Sequence, residues 1–328
     1  MKEALFYQKI DAGQVKCQLC PHQCLISPQK VGVCKVRKNI QGTLFALSYG
    51  KATGLAFDPI EKKPLYHFYP NSSILSLGPN GCNFSCEFCQ NWHISQVDSS
   101  TTAVTPEKIV ELCLQHQAIG IAYTYSEPLI WYEFVIETAR QARAKGLQNV
   151  LVTNGYINPE PLQNLLPVID ALNIDIKSMD DEFYKKYCGS RLEPVLETVR
   201  IAHHSCHLEI TNLIIPTLND SAAHFEQLAT WLAELSPDIP IHFSRYFPHF
   251  NLKLPPTPTG TLHQAREIAA RHLHYVFLGN IMDQSASSSY CPSCQALLII
   301  RDGYRTSKQN VANGKCSQCG QAVKIIGT

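Results

Sequence analysis

Between residues 74 and 278 the chain alternates short apolar, β-branched runs with longer stretches in which apolar residues recur every three to four positions. Short continuous runs fit strands buried on both faces, and the longer repeats fit amphipathic helices packed over them. The strand-like runs are residues 74–78, 119–124, 150–152, 171–176, 208–215, 241–243 and 275–278. Thr105-Pro106-Glu107 has the form of a helix start: a capping Thr, Pro at the first helical position and an acid in the first turn. Further helices are predicted over 129–145, stopped by Gly146, and over 194–203, 221–235 and 262–272. Repeated βα units of this kind imply a parallel sheet with helices outside it. About six units are too few to close an eight-stranded barrel, which leaves a partial barrel or a doubly wound sheet.

A length of 328 residues with 45% hydrophobic content suits one large domain with small appendages. A net charge of +1 gives no electrostatic reason to expect nucleic acid or an anionic membrane as a partner. The first residues lack the apolar core of a signal peptide, and no segment approaches the ~18 apolar residues of a membrane span, so a cytoplasmic protein is expected. Fourteen cysteines are many for a reducing compartment, where clustered thiols read as metal ligands. Eleven of them fall in three groups, leaving Cys113, Cys188 and Cys206 as isolated core thiols.

The central group, Cys82, Cys86 and Cys89, has the spacing C-x3-C-x2-C, with the aromatic Phe88 just before its last cysteine. A cubane 4Fe–4S cluster ordinarily takes four cysteines. Three leave one iron without a protein ligand, and an open metal position is where a substrate or co-substrate binds. A zinc site would need a paired knuckle and a fourth ligand close by, and this stretch has neither. The predicted strand ends carry further polar residues: Glu127, Thr153-Asn154 and Asp175-Ile176-Lys177. In parallel α/β folds ligands bind at such carboxyl ends.

The cysteine loop resembles that of the radical S-adenosylmethionine (SAM) enzymes. In that superfamily the amino and carboxylate groups of SAM chelate the unique iron, and an electron from the reduced cluster cleaves SAM to a 5′-deoxyadenosyl radical. The resemblance implies an α/β fold, a partial (β/α)6 radical SAM barrel. Glu127-Pro128 sits where relatives carry Gly-Gly-Glu-Pro, the site of the methionyl ammonium, although the glycines are replaced here. Val152-Thr153-Asn154-Gly155 resembles the Asp-Thr-Asn-Gly of glycyl-radical activating enzymes, which implies hydrogen bonds from Thr153 and Asn154 to ribose or methionyl groups. Asp175-Ile176-Lys177 resembles their Asp-Leu-Lys, in which the aspartate helps hold a cation and the lysine lies near the sulfonium and carboxylate; Val152 and Asn173 depart from that pattern. Phe88, Glu127, Thr153, Asn154, Asp175 and Lys177 are thus the candidate cofactor contacts. The resemblance extends along the chain to the radical SAM member of the AmmeMemoRadiSam system, a branch near the pyruvate formate-lyase activating enzymes. It is carried by segments 17–34, 61–68, 81–92, 125–128, 175–177, 213–220, 242–248 and the end from residue 279. It implies Memo-type and AMMECR-like partners and a reductant such as flavodoxin or ferredoxin. Polar residues in these segments, His67, His242, Arg245 and Tyr246, are candidates to face a substrate.

Two further cysteine groups flank the loop. Cys291, Cys294, Cys316 and Cys319 form two C-x2-C knuckles, a zinc-ribbon-like segment with a closed, structural tetrahedron. Cys17, Cys20, Cys24 and Cys34 could hold zinc or a second iron–sulfur cluster, and the Cys-x2-Cys-Pro knuckle followed by a Gly-x-Cys turn favours zinc. The expected division is a Cys-rich metal-binding segment at 1–45, the partial barrel at 46–285 and the ribbon at 286–328. A radical SAM oxidoreductase acting on a protein or small molecule is the leading expectation. A glycyl-radical-enzyme activase, an RNA-modifying radical SAM enzyme and a non-catalytic iron–sulfur or zinc module are the alternatives.

Overall fold

The apolar runs form seven parallel strands: β1 (Ser73–Gly78), β2 (Gly120–Tyr123), β3 (Gln148–Thr153), β4 (Ala171–Asp175), β5 (His207–Ile214), β6 (Ile241–Arg245) and β7 (Val276–Gly279) in a computed structural model that describes Met1–Thr328. They pair in sequential order, each beside the next. Six crossovers connect them through α1 (Pro106–Gln115), α2 (Tyr132–Ala144), α3 (Pro159–Leu165), α4 (Glu193–His203), α5 (Ala222–Leu235) and α6 (Thr259–Ala269). This is the expected partial barrel of six βα units, with a seventh strand closing the count. Thr105 caps α1, its hydroxyl accepting from the Lys108 N–H at 3.3 Å, and Pro106 follows in the first turn. α2 begins later than its pattern suggests, because Pro128 to Trp131 first winds as a 3-10 turn capped by the Glu127 side chain.

An antiparallel strand that the pattern does not announce, Gly54–Pro59, covers the free edge of β1. It carries exposed Leu55 and Phe57 and is specified by its long-range partner rather than by its own periodicity. No helix is long and apolar enough to cross a membrane.

Between sheet and helices lies the main core, including Ile121, Leu151, Leu172, Ile210 and Phe225. The barrel interior is different. Register aligns Val152 with Asn173 and Asn173 with Glu209, so polar side chains form a layer inside the strands. The segment 64–68 crosses beneath this layer. Glu209 accepts from the Tyr66 and His67 N–H groups at 3.0 and 2.7 Å and from His207 and His242 at 2.9 and 2.6 Å. Burial alone would raise the Glu209 carboxyl, but the histidine hydrogen bonds hold it well below the usual range. Burial pushes His67 down to about 3, so it packs as a neutral ring.

The C-terminal segment closes the same end of the barrel. Its strands Ser289–Tyr290, Leu297–Asp302 and Arg305–Lys308 make a small antiparallel sheet. From it the fully buried Arg301 donates to the Tyr66 carbonyl at 2.5 Å and to Ser289 Oγ at 2.9 Å. Ile326 exchanges backbone hydrogen bonds with Tyr69 and His67. At the chain's start, Lys2–Glu3, Thr43–Ala46 and Arg37–Ile40 form one small sheet, and Tyr7–Lys9, Val15–Cys17 and Leu25–Ile26 form another.

Candidate active site and metal-ligating cysteines

The chain leaves β1 at Gly78 and enters the cysteine loop, whose three thiols stand at one mouth of a cavity of about 520 Å³. Every expected cofactor contact lines that cavity: Phe88, Glu127, Thr153, Asn154, Asp175 and Lys177, with Cys82, Cys86 and Cys89. The cavity lies over the carboxyl ends of β1 to β6, where the interior side chains Val152, Thr211, Leu213 and Ser244 form its floor.

Glu127 follows β2 and is buried. One of its oxygens accepts from Thr153 Oγ1 at 2.6 Å and the Leu129 N–H at 2.9 Å, and the other from the Asn154 N–H at 2.8 Å. The carboxylate therefore ties the end of β3 to that of β2 and keeps one lone pair free. Burial raises its pKa to about 7 against these hydrogen bonds, with Asp175 adding to the rise. Asn154 in turn donates to Asn83 Oδ1 at 2.9 Å and lies 3.7 Å from Cys82 Sγ. Its contact is thus with the cysteine loop itself, which the sequence did not indicate.

Lys177 and Asp175 form a 2.8 Å ion pair on the cavity wall after β4. Burial works against the ammonium, yet Asp175 and Cys86 hold the Lys177 pKa above its ordinary value. Burial also pushes the Cys82 and Cys89 thiols up, whereas Cys86 is lowered because the Cys188 thiol hydrogen-bonds to it, with Lys177 assisting. Cys188, read from sequence as an isolated core thiol, thus sits against Cys86. Residues 187 and 188 hold the loop through their carbonyls, which accept from the Glu87 and Ser85 N–H groups at 3.0 and 2.9 Å.

His67, His242, Arg245 and Tyr246 do not line the cavity. The two histidines belong to the Glu209 layer below it, Arg245 Nε donates to the Thr257 carbonyl, and the Tyr246 hydroxyl donates to the Leu252 carbonyl. Ser244 and Asn280, both beside Arg245, reach the cavity instead. So does a cluster that sequence reasoning missed. Asp58 accepts from Lys62, Lys63 and Tyr125 at 3.0, 2.8 and 3.0 Å. Its only sequence signal was the paired lysines within segment 61–68.

The radical SAM superfamily model matches residues 77–232, which span the end of β1, the cysteine loop and strands β2 to β5. An uncharacterized protein of Methanocaldococcus jannaschii is 45% identical over 335 residues, covering 99% of this chain and 100% of its own length. The chain belongs to the radical SAM superfamily. The pyruvate formate-lyase-activating enzyme of Clostridium pasteurianum is 24% identical over 155 residues, which cover 45% of this chain and 65% of that enzyme. Among solved structures, Streptococcus suis SuiB bound to the precursor peptide SuiA superposes with a TM-score of 0.51 at 14% identity, over 68% of this chain and 51% of that one, a likeness of fold.

Membership in the radical SAM superfamily implies a 4Fe–4S cluster and SAM. The residues present fit both. Three thiols come from one loop, with a cavity beside them that offers a carboxylate, a lysine and amide donors.

The C-terminal set has a geometry that could hold a single ion. All four Sγ atoms lie within 4.8 Å of one another, and Cys291–Cys319 and Cys294–Cys316 stand 3.6 and 3.7 Å apart. A metal with bonds of ~2.3 Å to sulfur requires tetrahedral edges of about this length. Removing it should unfold the ribbon, since its core of Leu298, Ile299, Val311, Val323 and Ile325 is too small to stand alone. A thiol-competing chelator is therefore expected to release one ion per chain and lower the melting temperature; unchanged melting after release would refute a structural role.

Proposed function

We propose that the protein is a radical SAM oxidoreductase of the AmmeMemoRadiSam type, related to activating enzymes, that abstracts hydrogen from a protein or small-molecule substrate. The observation that carries this reading is the convergence of the three loop thiols and the six candidate SAM contacts on one cavity at the strand ends. When bound, the cluster and SAM together supply a 5′-deoxyadenosyl radical. The chain's own residues bind, orient and shield. Cys82, Cys86 and Cys89 hold three irons. Glu127 takes the methionyl ammonium, Lys177 the carboxylate side, and Thr153 and Asn154 the ribose or methionyl polar groups. Phe88, buried against Phe183, keeps the loop shut to water on the cluster side. Memo-type and AMMECR-like proteins are the proposed partners, and zinc is the proposed ion of the C-terminal tetrahedron.

Anaerobically reconstituted, dithionite-reduced protein should release 5′-deoxyadenosine from SAM, and SAM should perturb the EPR signal of the reduced cluster. A cluster that ignores SAM in both assays would overturn the reading in favour of a binding module. Because Glu127 titrates near 7, the acceptor for the ammonium is present above that pH and is lost as pH falls through it. SAM affinity should therefore weaken by about tenfold per pH unit below that point. Glu127→Gln should bind SAM weakly at every pH, with a flat profile. A wild-type profile without this slope would remove Glu127 from the ammonium site.

A further inference from the structure

The two flanking four-cysteine groups occupy opposite ends of the barrel. The C-terminal set lies below the polar layer, away from the active-site cavity. The N-terminal set lies against the catalytic loop. The Cys34 carbonyl abuts Gly81, the residue before Cys82, so closely that a Cβ there would come within 2.7 Å of it. Gly81 also has φ +98°, which a side chain would strain. On the other side of the same loop, His22 Nε2 donates to the Asn83 carbonyl at 2.8 Å. The N-terminal segment thus touches the loop on both sides of Cys82.

The thiols themselves are arranged unlike those of the ribbon. Cys17, Cys20, Cys24 and Cys34 line one enclosed cavity together with Arg37 and Ile130. They do not draw together into a set within 4.8 Å, as the C-terminal four do. Four ligands of one ion close to the edge length of its tetrahedron, but ligands at the corners of a cubane stand farther apart, with four irons and four sulfides between them. Donors that would stabilise thiolates are already placed: the Val33 N–H at 3.5 Å from Cys24 Sγ and Arg37 Nη1 at 4.0 Å from Cys17 Sγ.

We propose that Cys17, Cys20, Cys24 and Cys34 bind a second, fully protein-ligated 4Fe–4S cluster, which passes electrons singly to the cluster on the Cys82–Cys86–Cys89 loop. The ligand assignment stands on geometry alone; the relay role rests on the proposed radical SAM function. In each cycle an external one-electron carrier is oxidised, the second cluster goes from its 2+ to its 1+ state, and it returns to 2+ as the loop cluster is reduced from 2+ to 1+; no proton or bond changes partner. Cys20 and Cys24, less buried than Cys17 and Cys34, form the more accessible side. Residues 1–45 carry seven Lys or Arg against two Asp or Glu, so an acidic carrier suits them.

The test uses the full chain with Cys82, Cys86 and Cys89 all replaced by alanine, prepared anaerobically. The variant should retain about four iron and four sulfide per chain, with a reduced EPR signal that SAM leaves unchanged. About two zinc ions and no sulfide would overturn the assignment. Wild-type protein gives the same decision if the variant does not fold, with about eight iron expected for two clusters and about four for one. In Cys20→Ala/Cys24→Ala protein, reduction of the loop cluster by reduced flavodoxin should slow by roughly tenfold or more. An unchanged rate would refute the relay while leaving the cluster in place. Failure of SAM cleavage with both clusters present would instead count against the proposed function.

Discussion

Replacing Cys86 by alanine should reduce 5′-deoxyadenosine formation to the assay background, a loss beyond the 10–100-fold typical of changes in the groups around a metal site. Cys86 is buried at the centre of the loop, where Cys188 and Lys177 lower its pKa. Its removal leaves two loop thiols for a cluster that needs three, and it strips Lys177 of one of the two negative partners that hold it charged. The fold should survive, because the loop is also fixed by the Asn83 to Tyr156 and Asn154 to Asn83 hydrogen bonds and by the carbonyls of residues 187 and 188. Cys188→Ala is the informative companion. It removes a neighbour rather than a ligand, so the cluster should assemble with a lower reduction potential and product formation should persist. Equal loss in the two variants would mean that Cys188 itself ligates iron. Activity retained by Cys86→Ala would exclude the loop as the cluster site.

Glu133→Ala should be the most destabilising single substitution outside the cysteines. Arg37 and Glu133 form a 2.5 Å ion pair with side chains only 2% and 1% exposed. The pair also fastens the chain's start: Arg37 donates to the Leu5 carbonyl at 2.9 Å and the Leu5 N–H donates to Glu133 at 2.8 Å. Removing the carboxylate strands a guanidinium in apolar surroundings, which costs about 3–5 kcal/mol. At about 2–4 °C per kcal/mol for a domain of this order, the melting temperature should fall by roughly 10 °C. Glu133→Leu combined with Arg37→Met removes both charges and should lose much less. Thermal unfolding of the three proteins decides it, and equal melting of Glu133→Ala and wild type would show that the pair is not a net structural constraint. Arg37 also lines the N-terminal thiol cavity. Glu133→Ala should therefore loosen metal retention there before it affects the C-terminal tetrahedron.

The features legible in the sequence are those set by neighbours along the chain. Buried strands announce themselves as apolar runs, Thr105-Pro106 as a helix start, and each cysteine group as a short-range spacing. Glu127, Thr153, Asn154, Asp175 and Lys177 could be placed in one cavity because each ends or follows a parallel strand, and parallel strands in sequential order deliver their carboxyl ends to one side. Spacing of this kind is a local geometric constraint, so a single sequence carries it.

What only the tertiary structure decided depends on residues far apart in the chain. His67 and His242 looked like substrate-facing groups, but Glu209 draws both into the layer beneath the cavity. Cys188 reads as an isolated thiol until the segment after β4 folds back on the loop and sets it beside Cys86. Asp58 gathers Lys62, Lys63 and Tyr125 at the cavity because the unannounced edge strand pairs with β1. The two outer cysteine quartets look alike as spacings. Folding sends one beneath the barrel, closed to tetrahedral edge lengths, and sets the other open around a cavity beside Gly81 and Asn83. Spacing fixes how many thiols can meet. How far apart they stand, and what they stand next to, is set by the packing of the whole barrel around them.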